Sequence, residues 1–322
     1  MELQLIITIV AIGFAGGLLG GLLGIGGSII VIPLLTLVKG NNQQLYQATA
    51  MIMNIAVGAS ATLKHHLKGA IQVGVVLKIL PAACVGILAG VALSNVIPTL
   101  WLQVVFAVAL LGIAFTETRN AFRNERPEEE SPKSDDLAPA RSKNAGLANV
   151  VIGGFTGICS GLLGIGGGIV IIPLLKRYSG FSMKSAIPAS SATMLITAGI
   201  GAFYKNIQLP NLQAPDGTTL QISTSLMIAA CLIPPAFVGS FIGAGMMHRL
   251  PMKVIKRAFA VLLIVAATRM GYTAWDGIQM NQDVTSESSS PSATGARDSN
   301  RPSNARTRSP AESRPRRSPH KA

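Results

Sequence analysis

The sequence predicts an all-α polytopic membrane protein made of two tandem homologous halves. Each half holds about four transmembrane helices and begins with a glycine-broken helix. Three observations predict this class. Of 322 residues, 49% are hydrophobic and only 13% charged, too apolar a balance for an ordinary soluble domain. Two polar segments interrupt a chain that otherwise runs apolar for stretches long enough to cross a bilayer, which takes about 20 residues each. The stretch Gly20 to Leu35, GGLLGIGGSIIVIPLL, also recurs at Ser160 to Leu175 as SGLLGIGGGIVIIPLL, with 12 of 16 positions identical and no gap. Repeats of this kind typify transporter folds.

The organisation follows in order: a first membrane repeat over 1–120, a polar linker over 121–145, a second repeat over 146–275, and a basic Ser/Pro/Arg-rich tail over 276–322. In the first repeat, an apolar segment from about 3 to 23 meets a glycine break at 24–27 and continues as a short helix over 28–38. Longer helices are expected at about 46–64, 71–94 and 99–118. The second repeat follows the same scheme at about 146–163, 168–178, 183–204, 222–247 and 253–275, with a longer loop around 209–219. Residues 117–143 mix six Lys/Arg, seven acids and three prolines and cannot form a core. The tail carries ten serines, five prolines and eight Lys/Arg without a core-forming residue pattern, and is expected to be disordered. The opening residues lack the positive n-region of a signal peptide and read as the first membrane element.

Counting the broken segment as one crossing places both termini on the same side as the linker, and the Lys/Arg count then puts that side in the cytoplasm. If the break is a re-entrant hairpin, the halves are inverted instead. Cys84, Cys159 and Cys231 lie far apart in apolar runs and read as small packing residues.

Chemistry is expected at Gly24-Ile-Gly26-Gly27-Ser28 and its twin Gly164-Ile-Gly166-Gly167-Gly168. Clustered glycine inside an apolar segment breaks the helix. The next half-helix then starts at membrane depth with amides lacking intrahelical acceptors and the positive end of its dipole, a setting that suits an anion. Ser28 is a fit N-cap. Pro33 and Pro173 keep the half-helices short or kinked. Other GxxxG pairs, such as Gly17/Gly21, Gly86/Gly90 and Gly239/Gly243, read as packing surfaces. Neither break has the Lys-Ser/Thr of a P-loop, so a nucleotide is not expected.

No acid lies among the apolar helices, where proton- and sodium-coupled pumps commonly place one. That absence favours an anionic substrate. Hydroxyl and amide groups of the second long helix of each half, Thr49, Asn54 and Ser60, then Ser190, Ser191, Thr193 and Thr197, can donate to its oxygens or bond back to their own helix. Lys64, His65, His66, Lys68 and Lys205 close these helices, either drawing anions or snorkelling to the interface. His65 and His66 stand between proton-linked gating and interfacial filling. The segment Gly157-Ile-Cys-Ser-Gly161 resembles the motif of intramembrane serine proteases, but an extra residue spoils the spacing and no helix-interior histidine offers a base, so no enzyme is expected.

The doubled GxGG break followed by an apolar run and Pro-Leu-Leu resembles the sulfite exporter TauE/SafE family of membrane permeases. The resemblance covers about residues 5–120 and 146–275. It implies a bacterial inner-membrane transporter that moves sulfite, sulfonates or related sulfur anions, generally outward. The first half departs from the pattern at Met51-Ile52-Met53-Asn54, lacking the Thr/Ser pair that Ser190-Ser191 keeps. The expected partners are therefore a small anionic substrate and the lipid bilayer, with no nucleic acid and no cofactor. Export of a monovalent anion would run with an inside-negative potential worth about 2.3 kcal/mol per 100 mV. The alternative is a non-transporting membrane scaffold whose tail recruits a partner.

Overall fold

The computed structural model describes residues 3–122, 145–215, 217–247 and 252–289. The polar linker, most of the basic tail, Asp216, His248 and Arg249 lie outside the described residues. Ten α-helices appear among those described: α1 Leu3–Leu23, α2 Ser28–Lys39, α3 Gln43–Leu67, α4 Val73–Val96, α5 Thr99–Phe122, α6 Ala145–Leu163, α7 Gly168–Ser179, α8 Met183–Gln208, α9 Ile222–Met246 and α10 Met252–Ser289. A 3-10 turn, Leu209–Asn211, and a single bridge between Gln213 and Thr219 shape the long loop before α9. The chain parts into a compact unit, Met1–Gln279, and a second, Met280–Ala322, of which residues 280–289 are described and helical. The helix thus continues past residue 275, where the tail was expected to begin, because no proline interrupts it between Pro251 and Pro291.

Five helices are long and apolar enough to cross a membrane. Large apolar side chains such as Leu77, Val85, Val108, Phe115, Val151, Phe155, Val261 and Val265 point outward. In water such a surface would be an aggregation liability, whereas against lipid it is the normal exterior.

Each glycine break is a hairpin. If α2 simply continued α1, Gly16 and Val31 would stand about 22 Å apart at 1.5 Å per residue. Instead a Cβ built on Gly16 would lie 2.6 Å from Val31 Cγ2, and one on Gly20 would lie 2.6 Å from the Gly27 amide. In the second half, a Cβ on Gly167 would lie 3.1 Å from Thr156 Cγ2, so α7 likewise turns back along α6.

The tightest packing crosses between the two halves of the sequence. α1 runs parallel to α9, where a Cβ on Gly17 would lie 2.2 Å from Ala236 O and one on Gly243 would lie 2.1 Å from Leu18 O. α6 runs parallel to α4 in the same way, through Gly86, Gly90, Gly157 and Gly161. No larger residue allows backbones this close, which is how small-residue stripes hold helices together where lipid offers no hydrophobic drive.

The corresponding helices α3 and α8 run antiparallel, with Gln44 against Lys205 and Gly58 against Leu195. α3 shares the direction of α9, joined to it by Thr49 to Ser225 and by Ser240 to the Val57 carbonyl. It therefore shares the direction of α1. α4 returns and α5 crosses again, so α5 ends and α6 begins on the face opposite the start of α1. This corrects the one-crossing reading: the hairpin adds a reversal, and the start of α1 does not share a side with the segment joining α5 to α6.

Candidate functional site

The two hairpin tips meet. A Cβ on Gly168 would lie 2.2 Å from Gly24 O, and one on Gly26 would lie 2.8 Å from Ile165 O. Gly24, Gly26, Gly164, Gly166 and Gly167 all take positive φ. At Gly166, φ is +80° and an added Cβ would also press on the Asn54 amide nitrogen at 2.9 Å. A leucine at Gly26 or Gly167 would therefore disrupt the tip itself. Such variants test the fold before they test transport.

The two helix starts are treated differently. At α2, Asn54 reaches from α3 and its Oδ1 accepts hydrogen bonds from the amides of Gly27 (3.1 Å) and Ser28 (3.3 Å). Its Nδ2 donates to Ser28 Oγ at 2.9 Å. The N-cap residue is Gly27, not Ser28, and no N-cap side chain bonds the helix. Ser28 instead opens the helix as an acceptor for Asn54. The amides of the first break are thus already satisfied by the protein, and Asn54, expected as a donor to substrate, is spent on this bond. Around it Val31, Met53 and Val57 are buried, with Met53 Cε against Gly27.

At α7 the residue corresponding to Asn54, 140 positions on, is Met194. Its thioether is a weak acceptor. No side chain accepts from the amides of Gly167 or Gly168 among the described residues. A small pocket lies here instead. It is lined by Thr156 and Ser160 of α6, the Gly166–Gly167 backbone, and Ser190, Thr193, Met194 and Thr197 of α8. It holds room for about one water-sized guest. The Thr156 and Ser160 hydroxyls are buried and find no hydrogen-bond partner among the described residues. An unmet buried hydroxyl costs about 1–3 kcal/mol. Both hydroxyls line the pocket beside the Gly166–Gly167 backbone.

The remaining hydroxyls of α8 are occupied as donors. Ser190 bonds Gly24 O at 2.8 Å and so ties the two tips together. Ser191 bonds Ile187 O, and Thr193 and Thr197 bond carbonyls of their own helix. Ser191 does not reach the pocket lining. Thr156 and Ser160 were missed in the sequence because they sit in the first helix of the half, on a stripe read as packing glycine; their counterparts are Gly16 and Gly20. The signal was there: hydroxyls replace glycines in one copy only.

Among the basic residues, Lys64 lies over the Phe241 ring at 4.3 Å, a cation–π contact. His66 is exposed, whereas His65 is buried. Lys205 does not snorkel. It is fully buried and donates to Gln44 Oε1, to Ser94 Oγ at 2.8 Å and to Asn95 Oδ1 at 2.7 Å. The three cysteines are free and half-buried.

Comparison with known proteins agrees with this architecture. The family described as "Sulfite exporter TauE/SafE" matches residues 9–270. A probable membrane transporter protein, MamO, from Paramagnetospirillum magneticum is 25% identical over 82% of this chain and 44% of its own length. The chain thus spans less than half of that relative. The probable membrane transporter protein YunE of Bacillus subtilis is 23% identical over 83% of this chain and 97% of its own, and a probable membrane transporter protein of Haemophilus influenzae is 26% identical over 82% and 97%. No solved structure matches. With a match over most of its length and apolar helices paired around two glycine-broken hairpins, the chain is a multi-pass membrane protein that belongs to the sulfite exporter TauE/SafE family of transporters.

Proposed function

We propose that this protein is a secondary transporter of a small oxyanion, sulfite or an organosulfonate, and that the anion binds at the start of α7. One observation carries the reading: Thr156 and Ser160 hold unmet hydroxyls beside the Gly166–Gly167 backbone at the positive end of a half-helix. No charged side chain lines the pocket, and the Thr156 and Ser160 hydroxyls each keep a donor without an acceptor. An oxyanion supplies several acceptor oxygens at once and a charge that the dipole favours. Of the residues expected to bind, Gly166, Gly167, Gly168 and Ser190 are assigned to this site. Gly24, Gly26, Gly27, Ser28 and Asn54 build the opposing tip that supports it.

The space is too small for sulfite as it stands, so binding requires the tips or α6 to part. Rocking of the two sequence halves as bodies would shear the α1–α9 and α4–α6 seams, which are among the closest contacts between the described helices. The moving bodies are therefore assigned across the halves, one carrying α1 and α9 and the other α4 and α6. With the linker opposite the start of α1, and leaving aside the tail and the boundary residues Lys78 and Arg269, fifteen Lys/Arg fall on the linker face and two, Lys39 and Lys205, on the other. Short segments near helix ends set orientation, so we assign the linker face to the cytoplasm of a bacterial inner membrane.

The test is uptake of radiolabelled sulfite by liposomes holding the purified full chain. Thr156→Val with Ser160→Ala should cut flux by about tenfold or more, the loss expected when two hydrogen bonds to a charged ligand go. Wild-type flux in that variant would refute the site.

A further inference from the structure

Lys205 is a buried cation without an anionic partner among the described residues: three neutral oxygens, from Gln44, Ser94 and Asn95, take its three donors. Burying a lysine with only neutral partners is costly, and such residues in membrane proteins are candidates for a substrate path. Its position supports that role. Ser190, Met194, Thr197, Gly201 and Lys205 follow one another at spacings of three and four, on a single stripe of α8. The pocket at the start of α7 lies at one end of this stripe, and Lys205 lies about 12 Å beyond Thr197 at 1.5 Å per residue.

Between them the stripe is closed by apolar groups. A Cβ on Gly201 would lie 2.7 Å from Ile87 Cδ1 and 3.4 Å from Met51 Sδ, and these belong to a small buried cluster with Val91 and Ala202. The arrangement is polar, then apolar, then cationic, ending on the face where α1 starts. Gln44 also donates to the carbonyls of Ser94 and Ile97, so the Lys205 oxygens come from a cluster anchored at the end of α4.

We propose that Lys205 with Ser94 and Asn95 forms a second subsite for the transported oxyanion, separated from the first by an apolar gate at Gly201. This rests on the transport reading above. An anion arriving at Lys205 offers a charged acceptor, which adds an ion-pair attraction that the neutral oxygens lack. It displaces Asn95 or Gln44 and so loosens the tie between α8 and its neighbours α3 and α4. No covalent step is involved.

The experiment compares sulfite flux in liposomes for the full-chain wild type, Lys205→Met, Lys205→Arg and Asn95→Asp. Asn95→Asp keeps the shape and the hydrogen bond but fixes a carboxylate at 2.7 Å from the ammonium. A purely structural lysine would tolerate it. A subsite would be occupied by it, and flux should fall about tenfold, as for Lys205→Met, while Lys205→Arg keeps at least a third of it. The rise in thermal midpoint that sulfite gives the wild type should persist in Asn95→Asp, because the first site is left unchanged. Wild-type flux in both Asn95→Asp and Lys205→Met overturns the subsite and leaves the first site standing. Failure of sulfite to cross with the wild type, or to shift its thermal midpoint, overturns both.

Discussion

The starts of α2 and α7 arise from nearly the same sixteen residues, yet one is closed and the other is open. At α2 a carboxamide from α3 accepts from both leading amides, and valine and methionine fill the space beside it. At α7 methionine replaces that carboxamide, and threonine and serine replace two glycines across the hairpin. The difference teaches that a helix terminus is a site only when nothing inside the protein answers it. A broken helix is a geometric opportunity, and a single side chain on the neighbouring helix decides whether a ligand or the protein takes it.

The strongest way to break this comparison is to give α7 the plug that α2 has. Met194→Asn should place a carboxamide near Gly167 and Gly168 and lower sulfite flux by about a hundredfold, the effect expected when a fixed neutral acceptor fills the anion's place. Retained flux in a folded variant would sink the equivalence of the two starts. The converse change, Asn54→Ala, orphans two buried amides. It should cost about 2–4 kcal/mol, read as a lower midpoint of thermal unfolding in detergent.

Removing the unmet hydroxyls should act in the opposite direction. Ser160→Ala relieves a buried unsatisfied group, so the ligand-free protein should be unchanged or more stable by about 1 kcal/mol. The added stability that sulfite gives the wild type should shrink in the same variant, and an unchanged sulfite shift would argue against contact. Ser190→Ala removes the bond to Gly24 O that joins the tips, at a cost of about 1 kcal/mol. The smallest effect is expected from deleting residues 290–322, beyond the last turn of α10: flux should be unaltered, whereas a scaffold that recruits a partner through its tail would lose its function.

Except for the end of α10, helix positions were legible in the sequence to within about four residues because apolar runs, glycine breaks and prolines act locally. The direction of α2 was not. Gly24 to Gly27 permit both a kink and a reversal, and what selects reversal is packing of Gly16 and Gly20 against the returning backbone, a contact between positions with no shared sequence signal. The breaks themselves were legible, since clustered glycine interrupts a helix; the bonds from the Gly27 and Ser28 amides to Asn54 were not. Asn54 and Ser190 look alike as polar residues on corresponding helices, and only their partners separate a cap from a tether. Lys205 near a helix end suggested an interfacial residue. Its burial depends on Gln44, Ser94 and Asn95, which come from two other helices.

The crossed seams also bear on biogenesis. α1 leaves the ribosome long before α9 exists, so its glycine stripe must first lie against lipid, and Gly24 O waits for Ser190 to be made. The early half can insert but cannot finish its own fold. Two fragments cut between α5 and α6 should therefore find each other in the bilayer, since each carries the missing surface of the other.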